Sequence, residues 1–267
     1  MALLSLSNIH KTFEKGTVNE NHVLRGLDLD IEQGDFISVI GGNGAGKSTL
    51  MNSIAGVVEI DKGDIILDGN SIRKASVAAR SKDISRVFQD PRMGTATNLT
   101  IEENMAIAYR RGKKRSFFKK SITEAERQLF KDKLFELGLG LENRMKTDAA
   151  FLSGGQRQAV SLLMASLQPS KILLLDEHTA ALDPKTAAFV LELTDKIVQE
   201  NNLTTMMVTH SMQQALNHGT RTVMLHQGQV VLDVSGDERK GMTVHDLLNM
   251  FERTRGEVVE DDSLILS

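Results

Sequence analysis

The amino-acid sequence predicts an α/β fold with a mostly parallel sheet, a small antiparallel β subdomain and an inserted helical subdomain. Short apolar runs alternate with segments of helical periodicity, which is typical of a parallel sheet flanked by helices. The stretch 90–156 breaks this rhythm, because it is rich in charge and has no good strand pattern. We therefore expect one domain, with an α/β core at 1–89 and 157–240, the helical subdomain at 90–156, and a C-terminal helix and tail at 241–267.

Buried parallel strands are apolar on both faces, so in a sequence they form short continuous apolar runs. Runs of this kind are Phe36–Ile40, Arg86–Phe88, Ile172–Leu175, Thr205–Val208 and Thr222–Leu225. Turn-like sequences around Asp68-Gly69 and around 226–229 indicate short antiparallel additions. The strand pattern thus predicts a parallel sheet with smaller antiparallel parts.

Helix start signals stand between these strands. Asp183 followed by Pro184 predicts an N-cap with proline at the first helical position, leading into a helix over Lys185–Asn201. Thr123 with Glu126 predicts a capping box ahead of a charged amphipathic helix. An apolar stripe at helical spacing predicts one last helix, and its residues are Val244, Leu247, Leu248 and Phe251.

Composition excludes several classes of protein. Of the 267 residues 40% are apolar, which allows a sizeable core, and the net charge of −3 gives no electrostatic footprint for nucleic acid. The absence of cysteine excludes disulfides and cysteine-ligated metal sites. We also expect no secretion signal and no membrane span, because no apolar run approaches the roughly 20 residues that a span needs.

A glycine-rich loop follows the strand Phe36–Ile40. It has the pattern G-x-x-x-x-G-K-[ST] and reads Gly41-Gly42-Asn43-Gly44-Ala45-Gly46-Lys47-Ser48, with Thr49 next. Glycines let successive backbone N–H groups turn inward onto phosphate oxygens. Lys47 brings positive charge to the β- and γ-phosphates, and the Ser48 hydroxyl suits Mg²⁺. The loop predicts a nucleotide-binding protein but does not say which kind.

Two acids, Asp176 and Glu177, end a strongly apolar strand. Strand ends in α/β sheets face the ligand crevice. We therefore expect Asp176 to hold Mg²⁺, directly or through water, and Glu177 to orient or deprotonate an attacking water. Alone, the pair is equally well explained as two solvated acids beginning a loop, but the phosphate-binding loop favours the catalytic interpretation.

A second helix start lies upstream of this strand, and it reads Leu152-Ser153-Gly154-Gly155-Gln156. Ser153 is a good N-cap, and the glycines expose backbone N–H groups at the start of the following helix. These features predict a second anion-binding site. An ordinary capped helix with a flexible lead-in is the less specific alternative.

Together with the loop and the acid pair, this segment resembles the LSGGQ signature of the ABC ATPases. The resemblance extends from Ser5 to about Phe251 and implies a P-loop NTPase (RecA-like) core that binds ATP and Mg²⁺. It implies a head-to-tail homodimer, in which Ser153–Gln156 contact the ATP of the partner. It also implies transmembrane permease subunits, a substrate-binding protein, no nucleic-acid partner, and a peripheral position at the cytoplasmic face of a bacterial membrane.

Further positions match the family pattern in order. Phe13 stands where the family places an aromatic ring on adenine, although most members have tyrosine there. Gln89 matches the Q-loop glutamine, a Mg²⁺ ligand; Asp183 lies in the D-loop, at the nucleotide and the dimer interface; and His210 matches the switch histidine. The catalytic set that the resemblance implies is Lys47, Gln89, Glu177 and His210.

The sequence departs from the family after Glu177. Most members have Pro-Thr-Ser there, whereas this chain has His178-Thr179-Ala180. One interpretation is that His178 tunes the neighbouring carboxylate. The one we favour is a tolerated loop residue of the kind common at surfaces, which predicts that His178→Pro leaves hydrolysis largely intact.

Cations cluster at 110–120. Such a run suits anionic lipid, where each cation near the surface contributes about 1 kcal/mol, or RNA. The interpretation that we favour is a solvated face between helices.

The leading functional hypothesis is the ATPase of an importer with separate membrane subunits. The segments 94–104 and 176–183 resemble subunits paired with amino-acid permeases, among them a subgroup tied to aromatic amino acids. An exporter or lipoprotein-release ATPase is the alternative. A soluble ABC protein acting on DNA or ribosomes is disfavoured, since the chain has no second ATPase unit, and Glu177 with His210 argues against a non-hydrolysing sensor.

Overall fold

The computed structural model describes residues 2–113 and 122–255, which form two compact units. The first unit comprises 2–80 and 203–255, and the second unit comprises the described residues between them. The cations at 114–120 and the acidic tail lie outside the described residues. The bounds expected for the α/β core and the helical subdomain stay a prediction.

The strands, in chain order, are β1 (Leu4–Phe13), β2 (Asn21–Ile31), β3 (Phe36–Ile40), β4 (Lys62–Leu67), β5 (Asn70–Ser71), β6 (Ile84–Val87), β7 (Ile172–Asp176), β8 (Thr205–Val208), β9 (Arg221–His226) and β10 (Gln229–Ser235). The helices are α1 (Lys47–Ala55), α2 (Val77–Arg80), α3 (Ile101–Tyr109), α4 (Glu124–Phe135), α5 (Gly154–Ser166), α6 (Pro184–Glu200), α7 (Met212–Asn217), α8 (Gly236–Arg239) and α9 (Val244–Arg255). Short 3₁₀ turns lie at Leu141–Asn143 and Ala149–Phe151. None of the helices in the described part of the chain is both long and apolar enough to span a bilayer.

An antiparallel sheet in the first unit has the strand order β2-β1-β4-β5. The predicted turn at 68–69 joins β4 to β5, which confirms the small antiparallel part. The sequence patterns did not reveal β1 and β2. In β1, Leu4, Leu6 and Ile9 are buried, but register shifts between Leu6 and Ile9 break the alternation of apolar residues that marks a half-buried strand.

The first unit also contains strands in the order β10-β9-β3-β8. The central strand β3 is parallel to both β8 and β9, and β10 returns antiparallel to β9 after the predicted turn at 226–229. Every residue of β3 and of β8 is buried. This confirms the parallel core with an antiparallel addition.

The last helix, α9, packs on this sheet. Leu247 and Phe251 are buried in a cluster with Ile40, Met224 and Leu232. Burying a side chain of this size contributes about 1.5–3 kcal/mol. The amphipathic stripe predicted from the sequence therefore forms the core-facing side of α9.

The second unit contains β6 parallel to β7, together with α3 to α6. The Thr123–Glu126 capping box and the Asp183 N-cap are both present, as predicted. A further capping box, Thr100 with Glu103, starts α3. Within 90–113 and 122–153 the described residues form helices, turns and an isolated bridge but no strand, in agreement with a helical insertion.

Residues 110–113, the described start of the basic run, include an arginine that makes contacts within the fold. Arg111 hydrogen-bonds the Ser85 hydroxyl and donates to the carbonyls of Gln168 at 2.8 Å and Ala165 at 3.3 Å, at the C-terminal end of α5. A cation there satisfies helix carbonyls that lack partners within the helix. The interpretation of a solvated face is therefore wrong for Arg111, whose burial also lowers its pKa.

Candidate active site

The glycine-rich loop joins β3 to α1 in the first unit. Gly41 has φ 151°, and a Cβ there would lie 2.3 Å from the Leu225 carbonyl oxygen, so no larger residue fits. Gly46, at φ 104°, is the N-cap of α1 and provides no side-chain hydrogen bond. The first N–H groups of α1 therefore have no capping side chain, which suits an anion as their partner.

Lys47 is held against the loop. Its side chain is buried, and Nζ donates to the carbonyl oxygens of Gly41 at 2.6 Å and Gly42 at 3.2 Å. Asn43 and Ser48 are exposed. A phosphate bound here would give the ammonium group a charged acceptor in addition to neutral ones, and such hydrogen bonds are about twice as strong.

His210 follows β8, and the loop follows β3. These parallel strands are direct neighbours, with Val39 opposite Val208, and Thr209 N donates to Val39 O at 3.1 Å. Because both segments leave the carboxyl edge of adjacent strands, the first unit brings His210 and the loop to the same edge. The switch-histidine role of His210 stays a prediction.

Phe13 ends β1 and is 38% exposed. Lys11 Nζ lies 5.2 Å from its ring centre. The exposed ring can stack on a flat ligand, and the adenine-stacking role stays a prediction.

In the second unit, Gln89 and the acid pair share a sheet edge. The strands β6 and β7 are parallel, with Val87 opposite Leu175, so the residues after each strand emerge together. Gln89 is exposed, whereas Asp176 and Glu177 are half-buried. The second unit thus brings the expected Q-loop and acid pair to one edge.

Asp176 has a partner that the sequence patterns did not reveal. Arg86 Nη2 lies 2.5 Å from Asp176 Oδ2, in a pair whose side chains are only 13% and 15% exposed. The guanidinium also lies over the Phe88 ring, with Cζ 4.7 Å from its centre. An arginine inside an otherwise apolar strand was the available signal.

The oxygen donors expected for Mg²⁺ are Ser48, Gln89 and Asp176. Among the described residues no group of three or more His, Cys, Asp or Glu could enclose a metal ion. Mg²⁺ usually takes one or two carboxylates together with substrate phosphates and water. In the second unit, the Gln89 amide and the single Asp176 carboxylate are donors of the kind that suits such an ion, and the Ser48 hydroxyl is such a donor in the first unit; that they hold one ion stays a prediction.

The predicted second anion site lies at the start of α5. Ser153 is the N-cap, Oγ accepts from Gln156 N at 3.2 Å, and the Gln156 side chain accepts from Ser153 N. Ser153 and Gly154 are exposed, so this helix start is accessible from outside the chain. A Cβ at Gly155 would lie 2.2 Å from Thr186 Cγ2, so glycine permits the close approach of α5 and α6.

Asp183 caps α6. Its carboxylate accepts from Thr186 N at 3.1 Å, and hydrogen bonds from Thr186 lower the pKa of Asp183 below its ordinary value. Asp183 is exposed, beside the α6 start on which Gly155 packs. Its contact with a partner subunit stays a prediction.

His178 is not a surface residue. Its side chain is 2% exposed, and Nε2 lies 2.9 Å from Thr194 Oγ1 on α6. The interpretation of an unpaired histidine at the surface is therefore wrong. A single sequence does not show which loop residue turns inward, since that depends on the conformation of the preceding residue.

Comparison with known proteins agrees with these features. A family model described as ABC transporter matches residues 24–180. A tyrosine transport ATP-binding protein of Clostridioides difficile (strain R20291) is 45% identical over 251 residues, which cover 94% of this chain and 99% of that protein. The phosphonates import ATP-binding protein PhnC of Lactobacillus johnsonii is 31% identical over 261 residues, which cover 96% and 99%.

Solved structures share the fold. The ADP conformation of MJ1267, an ATP-binding cassette of an ABC transporter, has a TM-score of 0.75 at 27% identity and covers 96% of this chain and 100% of its own. The dimeric post-hydrolysis state of the cassette MJ0796, bound to ADP and Pi, has a TM-score of 0.73 at 27% identity and covers 87% and 98%. They confirm the predicted P-loop NTPase fold. Since relatives and cassettes alike match almost the whole chain, it belongs to the ABC transporter family, as an ATP-binding and ATP-hydrolysing subunit.

Proposed function

We propose that this subunit uses MgATP to drive the uptake of an aromatic amino acid, tyrosine, at the cytoplasmic face of a bacterial membrane. Support comes from the tyrosine transport relative, whose 45% identity covers almost all of both chains, against 31% for the phosphonate relative. The solute site belongs to other subunits, so the proposal concerns the permease with which this chain pairs. A substrate-binding protein delivers the amino acid.

In the proposed site, the backbone of 41–49 cradles the phosphates of ATP, Lys47 neutralises charge on the β- and γ-phosphates, and Phe13 stacks on the base. The open start of α1 supports this assignment, because its N–H groups have no capping side chain. Bound Mg²⁺, held by Ser48, Gln89 and Asp176, would neutralise further phosphate charge.

For hydrolysis we assign Glu177 as the residue that accepts a proton from the attacking water. The water oxygen bonds to the γ-phosphorus, and the bond from phosphorus to the β,γ-bridging oxygen breaks, so that ADP and phosphate result. His210 hydrogen-bonds the γ-phosphate. Because phosphoryl transfer needs mainly positioning and charge stabilisation, a site completed only by a second subunit can control the reaction.

The second subunit contributes Ser153–Gln156 in this scheme. These residues bind the ATP held by the partner's loop, with Asp183 beside them, and the dimer opens once the γ-phosphate is released. The exposure of Ser153 and Gly154 at a helix start supports this role, since a backbone N–H cluster inside a packed core could not meet a partner's ligand.

The amino-acid assignment is tested by expressing the chain with the genes that flank it, purifying the complex and reconstituting it in proteoliposomes. We expect ATP-driven accumulation of labelled tyrosine and no transport of a phosphonate. ATP-driven efflux, or release of a lipoprotein from the vesicles, would instead support the exporter alternative.

The hydrolysis scheme is tested with Glu177→Gln. We expect ATP turnover to fall at least 100-fold, because the neutral amide cannot accept the proton, while MgATP converts the monomer into a stable dimer. A turnover assay measures the hydrolysis rate, and size-exclusion chromatography with and without MgATP measures the conversion to dimer. A variant that stays monomeric in MgATP would contradict the shared site.

A further inference from the structure

Glu177 has a backbone conformation that needs support. Its φ of 45° lies in the left-handed region, which costs free energy for a residue with a side chain. Such conformations persist where the surrounding structure holds them, and they cluster at functional sites. The neighbours of Glu177 therefore determine how well its carboxylate is positioned.

The next residue, His178, is anchored in the core. It is 2% exposed, and its Nε2 lies 2.9 Å from the hydroxyl of Thr194, which is fully buried on α6. Thr194 Oγ1 also lies 2.8 Å from the Val190 carbonyl oxygen. A carbonyl cannot donate, so the single hydroxyl proton points to Val190, and His178 Nε2–H is the donor to Thr194.

This contact ties the residue after Glu177 to α6, the next helix of the chain. A buried polar pair of this kind is stable only when both members are satisfied, and it fixes a geometry more sharply than apolar packing does. Proline at the same position would restrain the backbone in another way, through its ring. The histidine thus replaces a covalent restraint with a hydrogen bond to α6.

We propose that His178 and Thr194 are positioning residues for Glu177, and that their hydrogen bond holds the backbone at 177–178 so that the Glu177 carboxylate keeps its catalytic orientation. The proposal rests on the assigned role of Glu177 as the proton acceptor. Neither His178 nor Thr194 touches the nucleotide in this scheme. Loss of their hydrogen bond without another backbone restraint therefore lowers kcat and leaves ATP affinity unchanged.

The test compares Thr194→Val, which keeps the shape of the side chain and removes the hydroxyl, with Thr194→Ser, which keeps the hydroxyl. We expect kcat to fall about tenfold in Thr194→Val, since small misplacements of catalytic groups have large effects, with the KM for ATP within twofold of wild type. Thr194→Ser keeps most of kcat. Thermal unfolding of both variants in the absence of nucleotide shows that they are folded.

The decisive comparison repeats Thr194→Val in a chain that also carries His178→Pro. We expect His178→Pro by itself to retain hydrolysis, because the proline ring restrains the backbone without the hydroxyl, and Thr194→Val in the same chain to cost no further activity. If Thr194→Val lowers kcat equally with histidine or proline at 178, the hydroxyl acts only through general stability and the proposal is wrong. It is also wrong if Thr194→Val matches wild type, or if His178→Pro loses kcat while it stays folded.

Glu177→Gln separates this proposal from the one on which it rests. If Glu177→Gln hydrolyses ATP at the wild-type rate, the proton-acceptor role of Glu177 is wrong, whatever the activity of the Thr194 and His178 variants. If Glu177→Gln is inactive and Thr194→Val is unaffected, only the positioning role of His178 and Thr194 fails.

Discussion

The starts of α1 and α5 are both predicted to bind phosphate, yet they are built differently. The start of α1 has glycine as its N-cap, so no N-cap side chain bonds its N–H groups. The start of α5 carries a complete capping box, in which Ser153 and Gln156 satisfy each other's backbone. The first helix start has no N-cap side chain, whereas at the second two N–H groups are already satisfied by side chains of the same chain.

This difference suggests how the two sites divide their work. A helix start without an N-cap side chain gains more binding free energy from an anion, because no cap competes with the anion for its N–H groups. A capped helix start gains less free energy from binding an anion. A phosphate there therefore binds weakly unless other contacts hold it in place. We infer that α1 binds nucleotide in the single subunit, and that α5 contributes only when a partner presents its ATP.

Among the variants that test this comparison, Lys47→Met gives the largest expected effect, and it tests the first half. The variant fills the same space and removes the charged donor that the loop holds through Gly41 and Gly42. Hydrogen bonds to charged groups contribute about 1.5–3 kcal/mol, so we expect ATP affinity of the monomer to fall about 10- to 100-fold. Equilibrium binding of a fluorescent ATP analogue measures it.

Lys62→Met is the matched control, since Lys62 is an exposed lysine of the same unit on β4. It should bind ATP as the wild type does. Equal losses in both variants would show that Lys47 acts through net charge, and the comparison of helix starts would lose its basis.

Ser153→Ala tests the second half. Removing an N-cap costs about 1 kcal/mol of stability, and we expect dimer-dependent hydrolysis to fall about tenfold while the monomer binds ATP normally. Turnover, monomer affinity and the melting temperature are measured together. If monomer affinity fell as it does in Lys47→Met, the start of α5 would serve its own subunit.

Thr123→Ala provides the control for stability. Thr123 Oγ1 accepts from Glu126 N at 3.2 Å, the same distance as in the Ser153 box, and it caps α4. We expect a similar loss of stability and unchanged hydrolysis. A parallel loss of activity in both variants would mean that the Ser153 effect is only a stability effect.

The sequence predicted those parts of the fold that depend on local signals. The bounds of β3 and β8 agree with the predicted runs, and the caps at Thr123 and Asp183 are present, because caps and buried strands are specified within a few residues. The antiparallel strands β1 and β2 were missed, since the irregularities in β1 shift the alternation that marks such a strand.

In the candidate site, too, the features with a local sequence pattern were predicted and the others were not. The loop, the signature and the acid pair could be recognised because each is a short contiguous pattern of residue types. The partners of Asp176 and His178 could not, because Arg86 and Thr194 are distant in sequence and meet them only through strand pairing and helix packing. Contacts of this kind depend on tertiary structure, which a local pattern does not contain.

Arg86 extends the comparison of the helix starts to the metal ligand. Like the N–H groups of Ser153 and Gln156, the carboxylate of Asp176 already has a partner within its own unit, the Arg86 guanidinium at 2.5 Å. A cation that binds Asp176 has to share or replace this contact. The ion pair of Arg86 with Asp176 should therefore weaken metal binding at Asp176.

Arg86→Met is expected to tighten Mn²⁺ binding to the protein–ADP complex by roughly three- to tenfold, the smallest effect of the series. Removing one positive charge about 4 Å away changes the electrostatic energy by about 1 kcal/mol even when water screens it as strongly as in bulk solvent, and about 1.4 kcal/mol corresponds to tenfold. Electron paramagnetic resonance of free Mn²⁺ measures the affinity. Arg86→Lys keeps the charge and should bind Mn²⁺ as the wild type does. Weaker Mn²⁺ binding in Arg86→Met would mean instead that the guanidinium orients the Asp176 carboxylate for the metal. Arg86 would then assist metal binding rather than compete with it.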